Sequence, residues 1–318
     1  MRMQSLIFEP MAVGTVIRGL DPSIPIDAAA RAAIYDAWID SGLVIFRDVD
    51  IDSGQLIALS RCFGELEPPS MPELCVRGEP LLMELGRRVF GQGYVIDERD
   101  LRLGVQGWHR DTGFTPTTCK GALLRMVELP PEQGETYFAD CAAAYDGLSP
   151  QMQARLETLE VHVTLKPFFD ARFGRIWKTI RPADRQEYAG KATFDAKTFE
   201  RYPPVIQPII VTHPESGRKC IFLSPQYVDH VLGLEAGESD ALLNAVIDHA
   251  TSAPYCYTHV WEAGDIVAWD NRRFMHAAAG YHPNYRRTGY RTTFAGPLLK
   301  GRYADGRQGD PGLPMEDH

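Results

Sequence analysis

The chain has 318 residues, 44% hydrophobic, 24% charged and 10% aromatic, an ordinary globular composition that excludes a disordered or fibrous protein. Against 33 basic side chains stand 42 acidic ones, and the formal charge of -9 disfavours a surface built for nucleic acid or anionic lipid while leaving room for a local basic pocket. MRMQSLIFEPM at the N-terminus has no long apolar core, no run approaches the roughly 20 apolar residues of a membrane helix, and the six cysteines lack the short spacings of zinc or redox motifs. The expectation is a soluble protein of the reducing cytoplasm. Its partner is a small molecule rather than nucleic acid or membrane, and its surface is compatible with a homo-oligomer.

From Ile26 to Ser41, alanine-rich sequence with Ile34 and Trp38 at helical spacing predicts a helix ending near Gly42. LVIFRDV then reads as a buried strand, and DSGQLIALSRCFG as a second helix capped by Asp52 or Ser53. Between Gly64 and Gly107 the periodicity is weak, which predicts long connections folded over a pocket. After Trp108 come short runs bounded by turn residues: GALLRMVEL, GETYFAD, VHVTL, VIQPIIVTH, KCIFLS, THVWE, DIVAWD and YRTTFAG. Such density predicts a closed or double-layered antiparallel architecture. Helices interrupt it at Leu148–Leu159 and Ala236–Thr251. With no long linker, the chain reads as one domain over residues 1–318, with N-terminal helical and strand decoration and a loose polar tail after about residue 300.

WHRDT places His109 and Asp111 two residues apart, a pair that in an extended segment points to one side and can reach one ion; a polar turn is the plainer alternative. Far downstream, DIVAWDNRRFMHA delivers His276, which would complete two histidines and one carboxylate. Three ligands on one face leave open positions, as in non-haem Fe(II) oxygenases, although zinc or manganese accepts the same ligand types. Beyond it, Arg287 and Arg291 in YRRTGYRTTF share a strand face and offer forks for carboxylate, sulfonate or phosphate oxygens. Asp270, Asn271 and Arg272 read as turn-fixing residues, and Trp269 as core packing. His213 and His282 read as surface or satisfied histidines, and alternation separates Cys256 from Tyr257 and His259.

In WHRDTGF, WDNRRFMHAA and the arginines that follow, the chain resembles the taurine dioxygenase and aryloxyalkanoate dioxygenase (TauD/TfdA-like) family of Fe(II)- and 2-oxoglutarate-dependent oxygenases. The likeness extends through LVIFRD, SRCFGEL, LSPQMQARLETL and VTHPESGRK, over roughly residues 10–298. It implies a mainly β fold with flanking helices around a double-stranded β-helix, the jelly roll or cupin-like core. It also implies His109, Asp111 and His276 as Fe(II) ligands and as the catalytic centre, with Arg287 and Thr136 holding the distal carboxylate of 2-oxoglutarate and Arg291 meeting an anionic substrate. Because Asp111 fills the place that related halogenating enzymes leave to chloride, hydroxylation is the expected outcome, with succinate and CO2 as co-products and fragmentation where a leaving group sits on the hydroxylated carbon. Taurine itself is disfavoured: Pro69, Pro72 and Val105 stand where taurine enzymes carry polar partners. Met71, Val105, Phe168 and Phe222 are the expected pocket walls. The substrate class is an organic acid, aryloxyalkanoate, sulfonate or sulfate ester. Desaturation, a non-oxidative metal-dependent isomerase or hydrolase, and a silent organic-anion-binding jelly roll are the alternatives.

Overall fold

The computed structural model describes residues 3–69, 74–86, 93–167, 170–184, 200–296 and 298–307. The first helix, Ala28–Ser41, begins at Asp27, whose carboxylate accepts the Ala30 N–H, and stops at Gly42, which at φ 72 takes the left-handed conformation that glycine adopts without Cβ strain. Leu43–Phe46 follows at once as a fully buried strand. Ser53–Ser60 is the second helix, closed at its N-terminus by a reciprocal capping box between Asp52 and Gln55.

Two large sheets form the body. One runs, neighbour to neighbour, Ile7–Pro10, Thr15–Arg18, Leu43–Phe46, Ile266–Asp270, Gly121–Glu128, Thr288–Phe294, Glu79–Leu85 and Cys75–Val76, with Leu66–Glu67 also paired to Thr288–Phe294. The other runs Ile180–Pro182, Gly93–Ile96, Asp100–His109, Phe274–Tyr281, Thr136–Asp140 and Cys256–His259. Among these pairings only Thr15–Arg18 with Leu43–Phe46 is parallel. Alternation along each strand sorts the apolar side chains into layers. Leu43, Ile45, Ala122, Leu124, Val267 and Trp269 of the first sheet meet Phe138 and Phe274 of the second in the core between the sheets. Val44, Phe46, Leu123, Ile266 and Ala268, one residue out of phase, pack outward against Ile34, Trp38, Leu56 and Leu59 of the two helices. The outer face of the second sheet is covered by helix Ala236–Ala250 and a third sheet of Val228–Val231, Glu160–Val163, Val205–Pro208 and Arg302–Tyr303. This is the mainly β, helix-flanked jelly-roll architecture expected from the sequence. No helix among the described residues is long and apolar enough to cross a membrane.

Three expectations are corrected. The stretch from Gly64 to Gly107 is not chiefly connection: it holds Glu79–Leu85, Gly93–Ile96 and the ten-residue Asp100–His109. Many of its strand residues are only half-buried, which blurs their alternation. VIQPIIVTH breaks into two strands, Val205–Pro208 in the third sheet and Ile210–Thr212 paired with Lys219–Ile221. The chain just after residue 300 is docked as far as Ala304, because Arg302–Tyr303 pairs with Val205 and Ile206, the Ala304 N–H donates to the Pro204 carbonyl at 2.9 Å and the buried Lys300 donates to the Thr115 carbonyl at 2.6 Å.

Candidate metal centre

His109 is the last residue of its strand and lies directly across the ladder from His276 on Phe274–Tyr281, so main-chain pairing brings two histidines far apart in sequence to ring centroids 4.1 Å apart. Asp111 lies beyond the strand end, in a turn, rather than in continued extended chain. Its Oδ1 is 3.9 Å from His109 Nε2 and its Oδ2 is 3.8 Å from His276 Nε2. All three side chains are largely withdrawn from solvent. His109 Nδ1 donates to the Gly107 carbonyl at 2.8 Å, which fixes the tautomer and leaves Nε2 with its lone pair facing the carboxylate. Burial lowers the pKa of His109, and that of His276 still further with help from the neighbouring imidazole. Both rings are therefore neutral ligands at neutral pH. Burial pushes the Asp111 carboxyl up, but neighbouring positive charge, Arg291 foremost, outweighs it and holds the group at about 2. Two neutral imidazoles and one carboxylate, all converging, fit a divalent ion with open positions.

The turn carrying Asp111 is clamped from the second motif. Asn271, fully buried, accepts the Asp111 N–H at 3.0 Å and donates through Nδ2 to the Asp111 carbonyl at 3.0 Å and to Thr118 Oγ1 at 2.8 Å. Thr118 Oγ1 donates in turn to the Asp111 carbonyl at 2.9 Å. Asp270 anchors the same turn against Arg272 at 2.6 Å and His213 at 2.8 Å, so the turn-fixing assignment holds and His213 is a buried, satisfied histidine. Arg110, between the ligands, was missed by sequence reasoning. It is completely buried and donates to the carbonyls of Asn271 at 2.8 Å, Phe274 at 3.0 Å and Ile221 at 2.7 Å, stitching the first ligand motif to the second. A charged residue next to a ligand gives no periodic signal, and only its lack of exposure reveals the role.

Around the ligands the inner faces supply the walls. Trp269 packs on His276 with centroids 4.9 Å apart, and Arg291 lies over the same indole at 5.6 Å, so Trp269 is both core and site wall. Arg291 is paired across the sheet with Leu124, an inner-face residue, and grips Asp111 with NH1–Oδ1 3.2 Å and NH2–Oδ2 2.6 Å. Glu67, opposite Thr293 and hence on the face of Arg291, is a second acidic neighbour; burial raises its carboxyl to about 7 although Arg291 pulls it down. Arg287 stands just before the strand. Among the described residues its NH2 donates only a long 3.4 Å bond to the Gly134 carbonyl and its Nε is buried without a partner, and burial lowers it to about 10. Gly134, at φ 83, makes room for it: a Cβ there would stand 3.2 Å from Arg287 Nε and 2.9 Å from Pro130. Thr136 shares the face of His276 through the 136–278 and 138–276 pairs, and its Oγ1 accepts from Trp261 Nε1 at 3.0 Å, which leaves the hydroxyl proton free to donate elsewhere.

Two expected wall residues are elsewhere. Opposite Ala277 the Asp100–His109 strand carries an extra residue, so Val105 pairs with Ala279 on the face away from His276 and packs with Tyr94 and Ile96. Gln106, paired with Ala278, takes the inward place, 3.4 Å from Gln226. Phe222 is packed with Ala142, Val211 and Cys220, its ring under Arg110 at 4.5 Å and Lys300 at 5.3 Å rather than against the ligands. Met71, Pro72 and Phe168 lie outside the described residues, and Pro69 is buried. His282 serves a turn, accepting the Asn284 N–H at 3.2 Å.

The likeness to known proteins agrees with this geometry. A family model described as taurine catabolism dioxygenase TauD, TfdA family, matches residues 8–293. The chain is 32% identical over 283 residues, 89% of its length and 92% of the relative's, to an (S)-phenoxypropionate/alpha-ketoglutarate-dioxygenase of Sphingobium herbicidovorans. It is 31% identical, over 80% of its length and 84% of the relative's, to an alpha-ketoglutarate-dependent 2,4-dichlorophenoxyacetate dioxygenase of Cupriavidus pinatubonensis. A solved taurine dioxygenase from Burkholderia xenovorans, 24% identical, superposes with a TM-score of 0.72 over 96% of each chain, which shows the shared fold. With its paired histidines, clamped aspartate and jelly-roll sheets, the chain belongs to the TauD, TfdA family and is an Fe(II)- and 2-oxoglutarate-dependent dioxygenase.

Proposed function

We propose that this enzyme hydroxylates a C–H bond of a small organic anion, a carboxylic acid, sulfonate or sulfate ester, with Arg287 and Thr136 receiving the distal carboxylate of 2-oxoglutarate and Arg291 the acidic end of the substrate. The observation that carries the co-substrate assignment is the under-bonded Arg287. A guanidinium with one long hydrogen bond and a buried, unpartnered Nε is costly unless an anion completes it, and the Thr136 hydroxyl is free to add a donor. Iron held by His109, Asp111 and His276 would supply the oxidation, in which O2 and 2-oxoglutarate give succinate and CO2 and the remaining oxygen atom enters the substrate. The chain's own part is to orient. The Asn271 clamp holds the main chain of Asp111, Trp269 and Phe138 flank His276, and Arg291 grips the Asp111 carboxylate while its Nε has no partner among the described residues.

Substrate class rests on Arg291 together with the relatives, whose names describe action on phenoxypropionate and 2,4-dichlorophenoxyacetate. Glu67 adds polar character near that arginine. Cysteines without the short spacings of zinc or redox motifs suit a reducing, cytoplasmic setting.

The test is a panel of organic acids scored for substrate-stimulated succinate release under air with Fe(II), followed by product mass. A gain of one oxygen supports the proposal; stimulation by neutral analogues as strong as by their acids refutes the role of Arg291. Arg287→Ala should raise the 2-oxoglutarate requirement on the order of 10- to 100-fold, as expected for losing a charge-assisted hydrogen bond, with little change in kcat. An unchanged requirement overturns the co-substrate assignment.

A further inference from the structure

A second convergence of ligating side chains lies on the third sheet, sharing no residue with the iron site. His162 on Glu160–Val163 pairs directly with His230 on Val228–Val231, and their rings stack with centroids 5.0 Å apart and planes 24° apart. The register slips there: Val161 faces Val231 and Val163 faces Val228, so Asp229 is an extra residue in its strand. In a regular strand Asp229 and His230 would point to opposite faces. Here Val228 and Val231 are both fully buried while Asp229 and His230 between them both turn outward, to the side on which His162 lies. The bulge thus aims a carboxylate and an imidazole from adjacent residues at a third ligand on the neighbouring strand.

The donor atoms converge. Asp229 Oδ2 is 3.0 Å from His230 Nδ1 and 3.6 Å from His162 Nδ1, and the three ligating atoms lie within 4.8 Å of one another. Ligands bound at about 2.1 Å in tetrahedral array stand roughly 3.4 Å apart, between those two distances. His162 Nδ1 is buried and has no hydrogen-bond partner among the described residues, an orphan that a bound ion would satisfy. Two cations also approach Asp229, but from the other oxygen: Lys166 Nζ and Arg172 NH1 are each 3.9 Å from Oδ1. Both are engaged elsewhere, Lys166 with the Val228 carbonyl at 3.1 Å and Arg172 with Asp240, so Oδ2 is left to the imidazoles.

We propose that His162, Asp229 and His230 form a second divalent-metal site, of the zinc class, that bridges the strands Glu160–Val163 and Val228–Val231. Two imidazoles exclude calcium and magnesium, which take oxygen ligands, and suit zinc, nickel or copper. Its bulged strand follows Gln226, whose N–H is bonded to the Trp108 carbonyl beside His109 at 3.1 Å, but His162, Asp229 and His230 share no residue with the iron ligands.

Zinc titration of the full chain by calorimetry separates the two sites. Two zinc ions are expected for the native protein, one for His230→Ala, one for His276→Ala, and none for the double variant. His276→Ala should still be stabilised by zinc, by about 100-fold in the folded-to-unfolded ratio at a hundred times the dissociation constant, and His230→Ala,His276→Ala should not. The near-isosteric Asp229→Asn, which preserves the fold, should also lose one zinc, and both His230→Ala and Asp229→Asn should keep native Fe(II)-dependent turnover. A native stoichiometry of one, or an unchanged stoichiometry in His230→Ala and Asp229→Asn, overturns the proposal and leaves the iron-site assignment untouched.

Discussion

Removing the Asn271 amide tests whether the ligand carboxylate is positioned by its main chain. Asn271→Ala deletes the acceptor for the Asp111 N–H and the donors to the Asp111 carbonyl and Thr118 Oγ1, three bonds of 2.8 to 3.0 Å around a fully buried side chain. At about 1 kcal/mol net for each of the three bonds, with about 1–3 kcal/mol more for the N–H left unpaired, the loss is about 4–6 kcal/mol of fold stability. The displaced turn also moves both oxygens of Asp111, and loss of such a supporting contact lowers metal affinity on the order of 10- to 100-fold. Thr118→Val is the graded comparison. It keeps the Asn271–Asp111 pair and removes the hydroxyl between them, so it should cost about 1 kcal/mol and less than 10-fold in affinity. Mn(II) titration followed by electron paramagnetic resonance gives the affinity, and thermal unfolding the stability. If Asn271→Ala binds Mn(II) as tightly as the native chain while unfolding earlier, Asp111 is held by Arg291 and its own turn alone and the clamp argument is wrong.

Other consequences follow from the same geometry. Gln106→Ala should change the KM for the primary substrate while Val105→Ala changes mainly stability, and the reverse pattern would show that the strand irregularity does not turn Gln106 inward. Burial tends to raise Asp270, but His213 and Arg272 lower it from 3.8 to about 2, so its contribution to stability is present above pH 3.8 and is lost as pH falls towards 2. The loss is about 2 kcal/mol, and an acid-unfolding profile for Asp270→Asn should lack that segment. Glu67 has the opposite sign: burial raises it from 4.5 to about 7, the folded chain binds the extra proton between those values, and stability declines as pH rises across that window. Melting temperatures of Glu67→Gln should show a shallower decline from pH 4.5 to 7, and an unchanged slope would mean that the carboxyl is not withdrawn from water.

Much of this architecture was legible because local chemistry and long-range packing agree. The Asp52 cap, the helix end at Gly42 and the buried LVIF strand are written in short stretches whose meaning depends on neighbours in sequence. The ligand residues were legible too, since histidine and aspartate at strand ends followed by arginines form a pattern that chemistry restricts. The strands between Gly64 and Gly107 were not, because half-buried positions carry polar and apolar residues alike and leave no clean alternation.

What the linear chain could establish, then, is which residue types are available to hold iron, an oxo-acid and an anion, and in what order they occur. Which side of a strand each one occupies was decided only on folding. One extra residue before His109 exchanges Val105 for Gln106, and one extra residue before His230 sets Asp229 beside it, because a shift of one in a period of two reverses every side chain beyond it. The burial of Arg110 and the docking of Phe222 beneath it likewise depend on segments more than a hundred residues apart meeting, a contact energy that no local propensity encodes.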